Sequence, residues 1–234
     1  GVSSAASDVY KRQRRDRSVE VEQIRVGIGA GSSNFIEVGA FAAMTLFAGQ
    51  LGAAETASWA VVINVSAIVF MVPMGLSSAT AVLVGRAYGA GDRPGVMRSG
   101  LLGIAVVTVL AFIIAVGLWL AARPVVSAYT TDPAILAIAA PALVLATLFF
   151  VADAQQVVAA QANRAAGDVV WPTLMHLLSY GIIMIPLGWW LAHRTGVDGL
   201  VWSVIVASLI SGVLLTGRFL RVARRAPMVK ATVS

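Results

Sequence analysis

Residues Ala134–Ala160 read AILAIAAPALVLATLFFVADAQQVVAA, an apolar run with one ionisable side chain, Asp153, inside it. A bilayer core about 30 Å thick asks for roughly 20 such residues in helical form, so this stretch reads as a membrane-spanning helix. Five further stretches meet the same test: Val26–Gly49, Trp59–Val84, Val96–Ala121, Pro172–Ala192 and Val197–Leu220. The prediction is an all-α membrane protein, a bundle of six transmembrane helices. Short connectors rich in turn and cap residues separate the spans: Gly52–Thr56, Gly85–Pro94, Thr130–Pro133, Asn163–Asp168 and His193–Gly196. None is long enough to hold a folded unit of its own.

Composition agrees. Of 234 residues 59% are hydrophobic and 12% charged, and the mean hydropathy is +0.86, whereas a water-soluble domain carries about 25% charged residues. A chain without cysteine has neither disulfides nor thiolate metal sites, and two histidines leave little imidazole chemistry. The net charge of +6 does not point to nucleic acid, because the basic residues sit between apolar runs and not on one polar face.

Those basic residues set an orientation. Fifteen of them fall on one side of the six spans, from Lys11 to Arg25, at Arg86, Arg93, Arg98 and Arg164, and from Arg218 to Lys230; only Arg123 and Arg194 fall on the other. Positive residues in short loops stay on the cytoplasmic side, so both termini of the segment are expected in the cytoplasm, with the bundle in the cell (inner) membrane. The organisation expected is a cytoplasmic segment over residues 1–25, the bundle over 26–220 and a basic cytoplasmic tail over 221–234. Within the first segment, residues 1–13 end in Asp8-Val-Tyr-Lys-Arg-Gln13, which reads as translated sequencing adapter.

Most acidic residues lie in the terminal segment, in loops or at span ends. Glu37 and Asp153 do not. A charge at the bilayer centre costs about 2.5–3.5 kcal/mol on insertion scales, so such residues face an interior and serve a purpose. With a helical rise of 1.5 Å per residue, Glu37 lies about 18 Å above Arg25 and Asp153 about 16 Å above Arg164. The two acids therefore sit at one level, near mid-membrane. Ala30, Ser33 and Asn34 share a helix face with Glu37, and Ala146, Gln156 and Asn163 share one with Asp153. Two carboxylates at one depth suit a Na+ or proton site, since hard oxygens bind Na+ and a carboxyl group takes up a proton. The bland alternative is that each acid only hydrogen-bonds a neighbouring helix.

Other residues read as structural. His176, near the start of the fifth span, is expected to cap or face the interface; Asn64, Gln155 and Gln161 are expected to bond between helices. Gly27 and Gly31 form a G-x-x-x-G pair suited to close helix packing. Pro73, Pro141 and Pro186 lie inside spans and kink them. Gly85, Gly89, Gly91 and Gly95 fit neither G-x-G-x-x-G nor a Walker motif, so no nucleotide site is assigned.

Several segments, in order, resemble one family. Phe35-Ile-Glu-Val-Gly-Ala-Phe41, Phe70-Met-Val-Pro-Met-Gly-Leu-Ser-Ser-Ala79, Val84-Gly-Arg-Ala-Tyr-Gly-Ala-Gly-Asp92, Thr130-Thr-Asp132, Phe150-Val-Ala-Asp-Ala-Gln155, Asn163-Arg-Ala-Ala-Gly-Asp168 and Ile185-Pro-Leu-Gly188 are similar to the C-terminal half of multidrug and toxic compound extrusion (MATE) transporters. The resemblance covers nearly everything after Arg25. It implies one six-helix half of a twelve-helix antiporter that exports cationic or amphipathic small molecules in exchange for Na+ or H+. It also implies no cofactor, and a missing N-terminal half encoded upstream.

Glu37 and Asp153 fall on positions tied to cation coupling in that family, with Ser33, Asn34, Phe149 and Gln156 as cavity-lining candidates. No metal is expected beyond Na+ at Glu37 and Asp153. The chain departs from some relatives at Phe149, where they carry a tyrosine one turn before the aspartate, and at Asn163-Arg164-Ala165, where Leu-Arg-Gly is usual. The partners expected are organic cations and the lipid bilayer, with no nucleic acid.

Rival readings are a lipid-linked precursor flippase of the same superfamily, disfavoured because every Arg and Lys maps to an end or loop, an intramembrane enzyme, for which no G-x-S-x-G or H-E-x-x-H is present, and a passive channel subunit.

Overall fold

Helix starts and stops in this chain are written by a few side chains at each turn. The computed structural model describes residues 17–227. In it α1 spans Arg17–Leu51, α2 Ala53–Gly89, α3 Arg93–Ser127 and α4 Pro133–Ala165. The fifth span is built in three pieces: α5 (Val170–His176), a π-helical stretch (Leu177–Met184) and α6 (Ile185–Thr195). The chain then turns at Gly196 into α7 (Val197–Arg225). Asp92 caps α3 by accepting from the Gly95 amide at 3.0 Å, and Asp132 caps α4 by accepting from the Ala134 amide at 2.8 Å. Each aspartate stands beside a helix-starting proline, Pro94 or Pro133, whose missing N–H is no loss in a first turn. At the α6–α7 turn Gly196 has φ +63°, and Glu55 of α2 accepts the Val197 amide at 3.1 Å.

Among the described residues six helical spans are long and apolar enough to cross a membrane, as the sequence predicts. They run past the predicted ends. The second span continues to Gly89 and the last to Arg225, because polar residues such as Arg86 and Arg221 extend a helix beyond its apolar run without breaking it. The connectors shrink accordingly, to Gly52 alone between α1 and α2. Helix α1 likewise starts inside the segment read as residues 1–25. The reading of residues 1–13 as adapter sequence lies outside the described residues, as does the tail beyond Pro227.

α4 is the centre of the bundle. It packs against α2, α3 and α7, while α1 lies against α2 and the fifth span. Close approaches rest on missing side chains: a Cβ at Gly100 of α3 would collide with the ring of Phe219 in α7, and one at Gly188 with the sulfur of Met44 in α1. Gly27 and Gly31 do not work this way. A Cβ on either meets nothing within 4 Å, and the tight glycine of α1 is Gly29, set against Val169. Large apolar side chains, among them Phe35, Leu46, Leu120 and Val213, point outward.

Two apolar clusters fill the interior. One gathers Met44, Trp59, Leu143, Phe149, Phe150, Tyr180, Met184 and Leu200; the other gathers Val84, Val96, Ala154, Val158, Leu215 and Phe219. Along α4 the change from one to the other falls at Asp153, and along α7 it falls at Ser208 and Ser211, all three buried. The bundle thus carries a polar band between two oily layers.

The prolines differ in effect. Pro73 and Pro141 are absorbed within the continuous helices α2 and α4. Pro186 has no N–H to return to the carbonyl one turn back, and the stretch just before it widens into the π form. That widened turn carries Ser179 and Tyr180 into the polar band.

Candidate functional site

The polar band converges on one side chain. The amide nitrogen of Gln156, a fully buried residue of α4, lies 3.4 Å from Oε1 of Glu37 on α1 and 3.4 Å from Oδ1 of Asp153, one turn back on α4. Carboxylates only accept, and the amide nitrogen carries two hydrogens, so Gln156 donates one to each acid. The two acids placed at one depth by counting residues therefore meet around a single amide group.

The other end of that amide faces the fifth span. Nε2 of His176 stands 2.8 Å from Oε1 of Gln156. With the amide hydrogens turned to the carboxylates, Oε1 is an acceptor and His176 Nε2 must be the donor. Its Nδ1 is buried without a partner. Four residues further on, Tyr180 donates its hydroxyl to Oδ1 of Asp153 at 3.2 Å and stands 3.4 Å from Oγ of Ser208. Since the tyrosine proton goes to the carboxylate, Ser208 donates to the tyrosine oxygen. The rings of His176 and Tyr180 pack edge to face, 5.8 Å between centroids.

This corrects two expectations. His176 neither caps a helix nor faces the interface: the fifth span begins at Val170, which carries the imidazole nearly two turns inward, where it is 3% exposed. And although Phe149 brings no hydroxyl to Asp153 from within α4, Tyr180 supplies one from the fifth span. Phe149 itself is buried in the apolar layer, edge-on to Phe150 at 4.8 Å.

The remaining candidates divide. Ser33 is buried but bonded away from the acids, to Oγ1 of Thr173 at 3.1 Å, and Thr173 in turn reaches the Gly29 carbonyl at 3.0 Å. Asn34 is exposed and stands outside the network. Asn163 ties α4 to α7 by donating to the Leu215 carbonyl at 3.0 Å. Gln155 bonds between helices, to Oγ1 of Thr108 at 2.8 Å, and Asn64 accepts the Tyr129 hydroxyl at 2.9 Å. Gln161 stays within its own helix, accepting from Arg164 at 3.2 Å.

Arg164, read as a loop charge, is 7% exposed, and its Nε and Nη2 have no partner. It closes α4 just below the polar band, within electrostatic range of Glu37 and His176.

Beside Asp153 a small void of about 10 Å³ is lined by Ser66, Phe70, Pro73 and Phe150, room for about one water molecule. Among the described residues no group of three or more His, Cys, Asp or Glu is arranged to hold a metal ion. What the site offers is two carboxylates, one amide carbonyl and one phenolic oxygen. That set suits a monovalent cation or protons better than a transition metal.

Comparison with known proteins shows the family to which the chain belongs. The MatE family model matches residues 30–190. A protein named probable multidrug resistance protein NorM from Caulobacter vibrioides is 52% identical over 213 residues, which cover 90% of this chain and 45% of that protein. One of the same name from Aromatoleum aromaticum is 36% identical, covering 87% of this chain and 45% of its own length. The chain thus spans about half the length of the curated relatives it matches. The crystal structure of the Vibrio cholerae MATE transporter VcmN in its bent form superposes with a TM-score of 0.83 at 18% identity, over 94% of this chain and 52% of the other.

Proposed function

Because the chain belongs to the MatE family of transporters, we propose that it is one six-helix half of a secondary antiporter that exports cationic or amphipathic small molecules in exchange for Na+ or H+. As part of a transporter family it is no enzyme. The second six-helix bundle corresponds to the rest of the relatives' length, and the substrate path runs between the two halves.

The observation that carries this reading is the shared amide between Glu37 and Asp153. Two acids at mid-membrane depth, drawn together from α1 and α4, form a place where positive charge is stabilised away from water. Occupation by Na+ or by protons changes the charge of that place and hence its attraction for a cationic substrate. This is the requirement for exchange. Gln156 contributes one wall of the site, and Ser33 holds α1 against the fifth span. The side with fifteen basic residues is the cytoplasmic one in an inner-membrane setting, with both ends of this segment there.

The test is efflux of a fluorescent organic cation from vesicles holding the full-length protein, under imposed Na+ or H+ gradients. Wild type is expected to export when one gradient is imposed, and Glu37→Gln and Asp153→Asn are expected to lose gradient-driven export. Variants that export like wild type would make the two acids structural. Export indifferent to both gradients would favour the lipid-linked precursor flippase.

A further inference from the structure

We infer that Gln156 is itself a ligand of a bound monovalent metal cation, and that His176 opposes this by holding the Gln156 carbonyl turned away from the two carboxylates. This rests on the reading of Glu37 and Asp153 as the coupling pair.

In the present arrangement the Gln156 nitrogen occupies the position a cation between Glu37 Oε1 and Asp153 Oδ1 would take, 3.4 Å from each. Its two N–H bonds do what the cation would do: they offset two negative charges that face one another. A metal cation is repelled by an N–H. Its entry therefore requires the amide to turn about its last carbon–carbon bond, exchanging nitrogen for oxygen. The carbonyl oxygen then joins the two carboxylates, and three hard oxygens surround the ion. A proton demands no such turn, because a protonated carboxyl group still accepts an N–H.

His176 sets the cost of the turn. Its Nε2–H donates to the carbonyl at 2.8 Å and must release it when the amide rotates. The same nitrogen would then face the amide NH2, donor against donor, unless the imidazole moves its one proton to Nδ1, the atom now without a partner. That shift adds and removes no charge, but it places a buried N–H where no acceptor stands among the described residues. A neutral ring with its proton on Nε2 thus favours the arrangement with the amide nitrogen toward the acids and opposes metal binding. His176 is a specificity-determining residue that lowers affinity for the metal ion without touching it.

The two partners are therefore expected to act in opposite directions. His176→Phe offers neither donor nor acceptor, so both amide orientations lose equally, and Na+ should bind about tenfold more tightly, the worth of one hydrogen bond. Gln156→Leu removes the carbonyl ligand, and Na+ should bind about tenfold more weakly. A residue that only supports the fold would weaken binding in both cases.

The experiment uses the full-length transporter in lipid nanodiscs with 15N-labelled histidine, titrated with NaCl or choline chloride at fixed pH and ionic strength. The His176 signal is the one missing from the spectrum of His176→Phe. The expected result is a saturable change of the Nε2 signal with Na+ alone, absent in Asp153→Asn, with the opposed affinity changes measured by calorimetry. Na+ binding that is lost in Asp153→Asn but leaves the His176 signal unmoved overturns the inference and keeps the pair. Na+ binding unchanged in Asp153→Asn overturns the pair itself. No Na+ binding by wild type overturns the inference, while proton coupling through the same acids is decided by the vesicle assay.

Discussion

Tyr180 reaches across from the fifth span to donate its hydroxyl to Asp153 of α4 at 3.2 Å, and Ser208 of α7 completes the link at 3.4 Å. Three elements are thereby joined at one carboxylate. The tyrosine arrives there because the backbone widens ahead of Pro186, which turns Tyr180 into the bundle. A hydroxyl on Asp153 therefore depends on a proline six residues further along the chain.

Removing that hydroxyl tests its contribution. Tyr180→Phe keeps the buried ring and deletes one bond to a charged group, worth about 1.5 kcal/mol or more. In vesicles the half-saturating concentration of the coupling ion is expected to shift about tenfold, with little change in melting temperature. An unchanged ion dependence would leave Tyr180 a packing residue.

Much of this was legible in the sequence because membranes impose simple rules. Six apolar runs announce six spans, and Glu37 and Asp153 stand out as charges where charges are costly. His176 and Tyr180 could not be read in the same way. Their roles depend on which face of the fifth span turns inward, and that is decided by the widened turn before Pro186, a change of register that hydropathy does not record. Asn34 shares a face with Glu37 at helical spacing but not its place in the network: the bundle covers Ser33 and leaves Asn34 on the exposed surface of this half. The burial of Arg164 was not legible because a basic residue at a span end reads as a topology signal whether its side chain turns outward or, as here, is covered.

The glycines make a paired prediction about stability. A Cβ at Gly199, in the first turn of α7, would stand 2.5 Å from the carbonyl carbon and oxygen of Leu191. Backbone cannot rotate aside as a side chain can, so Gly199→Ala is expected to destabilise by about 2–3 kcal/mol, the upper part of the range for overpacking. Gly217, further along the same helix, meets nothing within 4 Å. There alanine should stabilise by up to about 1 kcal/mol through helix propensity. Melting in detergent, followed by circular dichroism, measures both; equal effects would mean that the α6–α7 turn yields easily.

A further prediction concerns the turn between α4 and α5. Arg218 of α7 pairs with Asp168 at 2.5 Å and lies over the ring of Trp171, 5.1 Å from its centroid. Both side chains are partly exposed, so the pair alone is worth about 1 kcal/mol or less. Asp168→Asn keeps acceptor and ring contact and should cost less than that, whereas Arg218→Ala loses both interactions and should cost about 1–2 kcal/mol. Chemical unfolding of the two variants separates the contributions; equal losses would assign all of it to the ion pair.

The orientation is open to direct measurement, because these 234 residues contain no cysteine and, with any cysteine in the rest of the full-length protein replaced, a single reporter thiol stands alone. Thr195 is exposed beside Arg194, on the side that holds two basic residues, and Ala90 is exposed in the α2–α3 turn close to Arg86 and Arg93. The positive-inside rule puts Ala90 in the cytoplasm and Thr195 outside. In intact cells whose outer membrane is permeabilised, a membrane-impermeant maleimide should label Thr195→Cys at once and Ala90→Cys only after the inner membrane is broken. The reverse pattern would invert the bundle, and the face that opens toward the cytoplasm would be the one carrying Arg194. Labelling of both positions from one side would require an even number of crossings between them. The spans from α3 to α6 make three, so that result would contradict the six-span fold as well as its direction.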